Sequence, residues 1–144
     1  QYFSTPHAGR GLAMGDLDED GRAEIVFSNN QERCAIVANQ TRNRNHFVRL
    51  RLVGRFCARD AHGAIAILST SAGDQLRMVN GGGSYMSQSE LRLYWGVAEG
   101  VEVTGVTITW PSGASQIIAE VPLNETLVVI ESPGTGDRGQ LKTE

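Results

Sequence analysis

Period-two alternation of apolar and polar residues constrains this chain more than any other feature. In "FVRLRLVG", Val48, Leu50 and Leu52 fall on one face, with Arg49 and Arg51 on the other. Leu91, Leu93, Trp95 and Val97 share a face, as do Val106, Ile108 and Trp110. A helix cannot gather such residues on one side, whereas a half-buried antiparallel strand does so by construction. "GAIAILSTSAGDQLRMV" reads as two strands about a Ser-Ala-Gly-Asp turn. "NETLVVIE" reads as a strand that is apolar on both faces, and so central or covered. Turn residues at Gly54, Gly73, Gly81 to Gly83, Pro111 to Gly113 and Pro122 to Asn124 recur at the spacing of a sandwich or barrel. The 144 residues suffice for a real core. No apolar run reaches the roughly 18 residues of a membrane-spanning helix, and a net charge of −3 does not favour polyanions in general.

The expected organisation is three pieces. Residues 1–40 read as turn, acidic loop, strand, turn and strand, with strands at "AEIVFS" and "CAIVAN". Residues 41–131 form the β-domain. Residues 132–144, "SPGTGDRGQLKTE", lack apolar periodicity and read as a flexible tail. The chain opens on Gln1 with no signal peptide, as an excised or mature piece would. Two cysteines, Cys34 and Cys57, make one bridge or none, and decide neither fold nor compartment.

The strongest chemical signal is "GDLDEDGRAEIV". Asp16, Asp18 and Asp20 stand at alternate positions, followed by Gly21 and Glu24. Three carboxylates within five residues repel one another unless a cation neutralises them. Ca²⁺ takes six to eight oxygens, and a turning loop supplies them from Asp16, Asp18, Asp20, the carbonyl of Arg22, and Glu24. An EF-hand is excluded, because position twelve from Asp16 is Phe27, which cannot ligate, and the flanks read as strand. A solvated acidic turn is the bland alternative. If Ca²⁺ binds, its expected role is to staple the loop.

"GRGLAMGDLDEDGRAEIVFSN" resembles the FG-GAP or VCBS-type repeat, a calcium-loop blade of integrin-like propellers. "NHFVRLRLVG", "RDAHGAIAIL", "QLRMVNGGGSYMSQSELRLYWGV" and "VTITWPSG" are similar, in that order, to landmarks of the ASPIC/UnbV domain. The resemblance implies an extracellular or cell-envelope protein, one blade-like repeat leading into the β-domain, and a role in binding or adhesion. It carries the calcium ligands onto Asp16, Asp18, Asp20, Arg22 and Glu24, although the last acid of such repeats is commonly Asp. The expected fold is therefore all-β: an antiparallel sandwich preceded by a single propeller-blade-like repeat with a Ca²⁺ loop.

Other constellations are weaker. Residues 42–62 carry six arginines against one acid, Asp60, a local +5. An acidic-glycan surface including Arg49 and Arg51 is one reading, and a solvated strand face is the blander one. Stacking aromatics for nucleic acid do not accompany these arginines. "NGGGSY" lacks the ending of a phosphate loop and reads as a bend. Tyr85 and Gln88 are candidate ligand contacts, while Trp95 and Trp110 fall in phase with the core. His7, His46 and His62 are scattered, and no nucleophile elbow or zinc helix occurs, so no enzyme is expected. The expected function is a non-catalytic, calcium-stapled module for adhesion or protein binding, with carbohydrate binding as the alternative. Its expected partner is a protein or glycan at the cell surface.

Overall fold

The computed structural model describes residues 2–42, 44–134 and 141–143, the last three by their backbone alone. It is all-β, with one short 3-10 turn at Tyr2–Ser4. The chain divides into two compact units: residues 1–43 with 81–90, and residues 44–80 with 91–144.

The first unit is a three-stranded antiparallel sheet in sequence order: β1 (Gly9–Gly15), β2 (Glu24–Asn29) and β3 (Ala35–Val37). β1 has no counterpart in the sequence reading. Its glycines and mixed polarity hide the alternation that marks the other strands. Residues 81–90, read from sequence as part of the β-domain, group instead with this sheet. They lie along β1 and satisfy its outer amides with side chains. Leu12 N–H donates to Ser84 Oγ (3.1 Å) and Met14 N–H to Ser89 Oγ (3.1 Å). Glu90 N–H donates to the Met14 carbonyl (2.8 Å). A serine-rich segment thereby covers what would otherwise be an open strand edge.

The second unit holds two four-stranded sheets around one core. β4 (His46–Val53), β7 (Leu93–Val97), β10 (Thr126–Ile130) and β11 (Leu141–Thr143) form one, in the order β11-β10-β4-β7. β5 (Ile65–Thr70), β6 (Gly73–Met78), β8 (Val103–Thr109) and β9 (Ser115–Ile118) form the other, in the order β6-β5-β8-β9. Val48, Leu50, Trp95 and Val129 from the first sheet meet Leu68, Val106 and Ile108 from the second in one buried cluster. The two tryptophans are core residues, as their phase requires; Trp95 is 1% exposed and Trp110 2%.

Three expectations are corrected. The sandwich is not purely antiparallel, since β10 runs parallel to β4 with Leu127 opposite Leu50. β10 arrives from β9 in the opposite sheet, so no tight hairpin fixes its direction. The stretch expected as a flexible tail contributes β11, antiparallel to β10, so β10 is a central strand, as its two apolar faces demand. The rest of that expectation, residues 135–140 and 144, lies outside the described residues. Finally, Arg49 does not line a solvated face. It is buried beside its cross-strand neighbours Thr126 and Tyr94. Its Nε donates to Thr126 Oγ1 (2.5 Å), and its guanidinium lies over the Phe47 and Tyr94 rings at 5.4 and 5.8 Å.

One buried polar residue ties the two sheets together. Gln116 on β9 is fully buried; its Nε2 donates to the Ile130 carbonyl (3.2 Å) and its Oε1 accepts from Ser132 N–H (3.1 Å). Gln116→Leu keeps the volume but strands a backbone donor and acceptor. A loss of about 2–4 kcal/mol follows from two unmade buried bonds, read by urea unfolding. An unchanged midpoint would show that both groups find new partners.

Candidate functional site

The loop between β1 and β2 folds around its own carboxylates. Asp16 is 3% exposed; its Oδ1 accepts from Asp20 N–H (3.1 Å) and its Oδ2 from Gly21 N–H (2.8 Å). Gly21 takes φ of +85°, which a side chain would resist, and it closes the turn. Glu24, 6% exposed, accepts from Leu17 N–H (3.0 Å) and from Asn39 N–H (3.4 Å). These bonds fix Asp16 and Glu24, and one carboxylate oxygen each of Asp16, Asp18 and Glu24 lies within 4.8 Å of the others. Asp16 and Glu24 are buried, and Asp18 is exposed.

The five ligand candidates therefore part company. Asp16, Asp18 and Glu24 converge. Asp20 is outside this cluster: its Oδ1 accepts Arg22 N–H (2.8 Å) and its Oδ2 pairs with the Arg22 guanidinium. Arg22 Nε also donates to the Asn39 carbonyl (3.1 Å). The converging donors are all carboxylate oxygens, and those of Asp16 and Glu24 keep a second lone pair beyond their amide bonds. That set fits a hard cation such as Ca²⁺ better than a soft one. Sequence reading missed Glu90, whose Oε2 accepts from Asp16 N–H (3.1 Å) and fixes the start of the loop. It lies 74 residues away in sequence, and nothing in the local pattern connects the two.

Tyr85 and Gln88 are exposed on the 81–90 segment, Tyr85 at 62%. Of the two arginines proposed as ligand contacts, Arg51 is exposed and Arg49 is buried. Cys34 and Cys57 are both free thiols. Burial, together with a hydrogen bond to Glu131 and that residue's charge, pushes the Cys57 thiol up to about 11. It stays protonated at neutral pH and is a poor nucleophile.

The second unit has a different polar centre. Glu131, 1% exposed, follows β10 and turns into the loop after β4. Its Oε2 accepts three successive backbone amides, from Arg55 (2.8 Å), Phe56 (2.7 Å) and Cys57 (3.2 Å). Its Oε1 accepts from Ser112 Oγ (2.5 Å). Burial alone would favour the protonated acid. The Ser112 hydroxyl and the amides of Phe56 and Arg55 outweigh it and, with Cys57, hold the carboxyl down at about 2. Gly54 is required here, because a Cβ would lie 2.2 Å from the Ala58 carbonyl oxygen and 2.7 Å from Cys57 Sγ. The "WPSG" turn thus supplies a core ring through Trp110 and a carboxylate anchor through Ser112.

A two-sheet β-sandwich closed by a buried carboxylate, joined to a small acidic-loop sheet, defines a modular β-protein. The family described as ASPIC and UnbV matches residues 54–136, more than half of the chain, and the chain belongs to that family. The chain is also similar to cartilage acidic protein 1 of Homo sapiens, at 30% identity over 129 residues, covering 85% of this chain and 19% of the relative. The Xenopus tropicalis protein of the same name is 27% identical over 125 residues, covering 83% and 19%. The chain spans about a fifth of the length of the curated relatives it matches. Among the described residues, no helix is long and apolar enough to cross a membrane.

Proposed function

We propose that this chain is a non-catalytic binding module of an extracellular or cell-envelope protein, with Ca²⁺ stapling the loop between β1 and β2. The convergence of Asp16, Asp18 and Glu24 carries the reading, since it places three carboxylate oxygens within reach of one hard cation. On this reading the three-stranded sheet is an FG-GAP or VCBS-type repeat. Ca²⁺ supplies charge neutralisation and a rigid junction between β1 and β2, and the protein supplies an oxygen cage already framed by backbone amides. The name of the relatives, which refers to cartilage, suits an extracellular setting. His7 is bound to Glu32 (2.7 Å) and His46 to Asn124 (2.9 Å), each serving local structure. A carbohydrate-binding reading draws on the exposure of Tyr85 and Gln88 on a segment held firmly to β1.

Calorimetric titration with Ca²⁺, paired with melting curves in Ca²⁺ and in chelator, tests the staple. At a hundredfold excess over Kd, a single site adds about 2.7 kcal/mol to stability. Asp18→Asn is the informative variant, because Asp18 is the exposed member of the cluster. It should melt like the parent in chelator and lose at least tenfold in Ca²⁺ affinity. Identical melts of the parent in Ca²⁺ and in chelator would overturn the proposal.

A further inference from the structure

The arginine-rich stretch has a structural destination that the calcium loop does not use. The loop after β4 is closed by Gly54 N–H donating to the Arg59 carbonyl (3.0 Å). Its successive amides at Arg55, Phe56 and Cys57 turn inward to Glu131. The side chains of Arg55 and Phe56 are consequently presented outward, and Phe56 is 57% exposed. Arg59 is also exposed, on backbone pinned to the start of the same loop. Neither Arg55 nor Arg59 forms an ion pair among the described residues. Asp60 is the acid on this loop.

We propose that Arg55, Phe56 and Arg59 form a preorganised site for a sulfated polysaccharide. A guanidinium presents a planar fork of donors that matches a sulfate or carboxylate in two bonds. An aromatic face suits the apolar C–H face of a sugar ring, so cation, ring and cation on one loop read one repeat of an anionic glycan. A protein interface of standard size needs roughly 20–30 residues a side. This loop exposes Arg55, Phe56, Ala58, Arg59 and Asp60, a footprint suited to a linear polymer. The Glu131 anchor matters here because a loop already fixed loses little entropy on binding. The proposal rests on the reading of the chain as a binding module but needs no Ca²⁺.

The test is retention on immobilised heparin and on immobilised polyglutamate, eluted by rising NaCl, in chelator and again in Ca²⁺. The parent should be held by heparin more strongly than by polyglutamate, equally with or without Ca²⁺, so a failed calcium staple leaves this result untouched. Arg55→Ala/Arg59→Ala should weaken heparin affinity at least tenfold with an unchanged melting temperature. Phe56→Ala should weaken it about threefold, an effect that simple ion exchange would not show. Arg10→Ala/Arg33→Ala removes the same charge elsewhere and should retain parental affinity. Equal loss in that control, indifference to all three loop residues, or equal retention on polyglutamate would each overturn the proposal.

Discussion

Glu131→Gln should cost the fold about 3 kcal/mol at neutral pH, the free energy implied by a carboxyl held at about 2 instead of its ordinary 4.5. The substitution preserves shape. It turns one of two acceptor oxygens into an amide that donates, whereas Glu131 accepts from three backbone amides, the Ser112 hydroxyl and the Cys57 thiol. At the Oε2 position the new amide would face three backbone donors; at the Oε1 position Ser112 can turn to accept, but the carboxylate's charge is lost in either case. The pH dependence has a definite sign. The folded carboxyl binds its proton less readily than the unfolded one, so the unfolded chain carries more protons between these values. The contribution is complete above about pH 4.5 and is lost as pH falls toward about 2. Urea unfolding of parent and variant at pH 7 and again near pH 2 reads this directly. The gap should be wide at neutral pH and narrow in acid. Ser112→Ala, which removes one of these bonds, should lose about 1 kcal/mol and shift the acid limb upward in pH. A gap between parent and Glu131→Gln that is the same at both pH values would mean that shape, and not charge, is what the pocket requires.

The sandwich was legible where side-chain period alone decides. Leu93, Trp95 and Val97, and likewise Val106, Ile108 and Trp110, point inward as their alternation requires, because one face of each strand must be dry. Alternation fails where the outer face is also covered. Arg49 stands out of phase with the core, yet Phe47 on its own strand and Tyr94 and Thr126 enclose it, and the latter two come from strands whose pairing no local pattern encodes. The parallel pairing of β4 and β10 escapes for the same reason, since direction follows from the path between sheets. At the acidic loop, spacing was enough to bring forward Asp16, Asp18 and Glu24. It could not tell that Asp20 would turn to Arg22, a choice made by local charge pairing, or that Glu90 would arrive from a distant segment. Glu131 left no trace at all. A glutamate at a strand end reads as solvated, and its partners are mostly backbone amides, which every residue but proline carries.

Trp95→Ala should be as damaging as the loss of Glu131, by a different route. Trp95 sits on β7 opposite Val48, 1% exposed, with its ring in the layer between the sheets. Its Nε1 donates to the Gln75 carbonyl on β6 (3.0 Å), and Arg77 Nε on β6 donates back to the Tyr94 carbonyl (3.1 Å). β6 and β7 belong to different sheets, so this reciprocal pair closes one side of the sandwich. Truncation removes the largest class of core side chain and leaves a cavity that a β-sandwich, held by its ladders, collapses into only partly. The expected loss is about 3–5 kcal/mol. Trp95→Phe keeps most of the filling and forfeits the N–H donor, so about 1 kcal/mol goes with the hydrogen bond and a further part with the smaller ring. Trp110 remains in both variants as a fluorescent reporter, and urea midpoints at constant slope give the two losses. Should the Ala and Phe variants unfold at the same midpoint, the hydrogen bond would be the decisive contact and the ring's volume incidental. Should Phe match the parent, filling alone would hold the two sheets together at this edge.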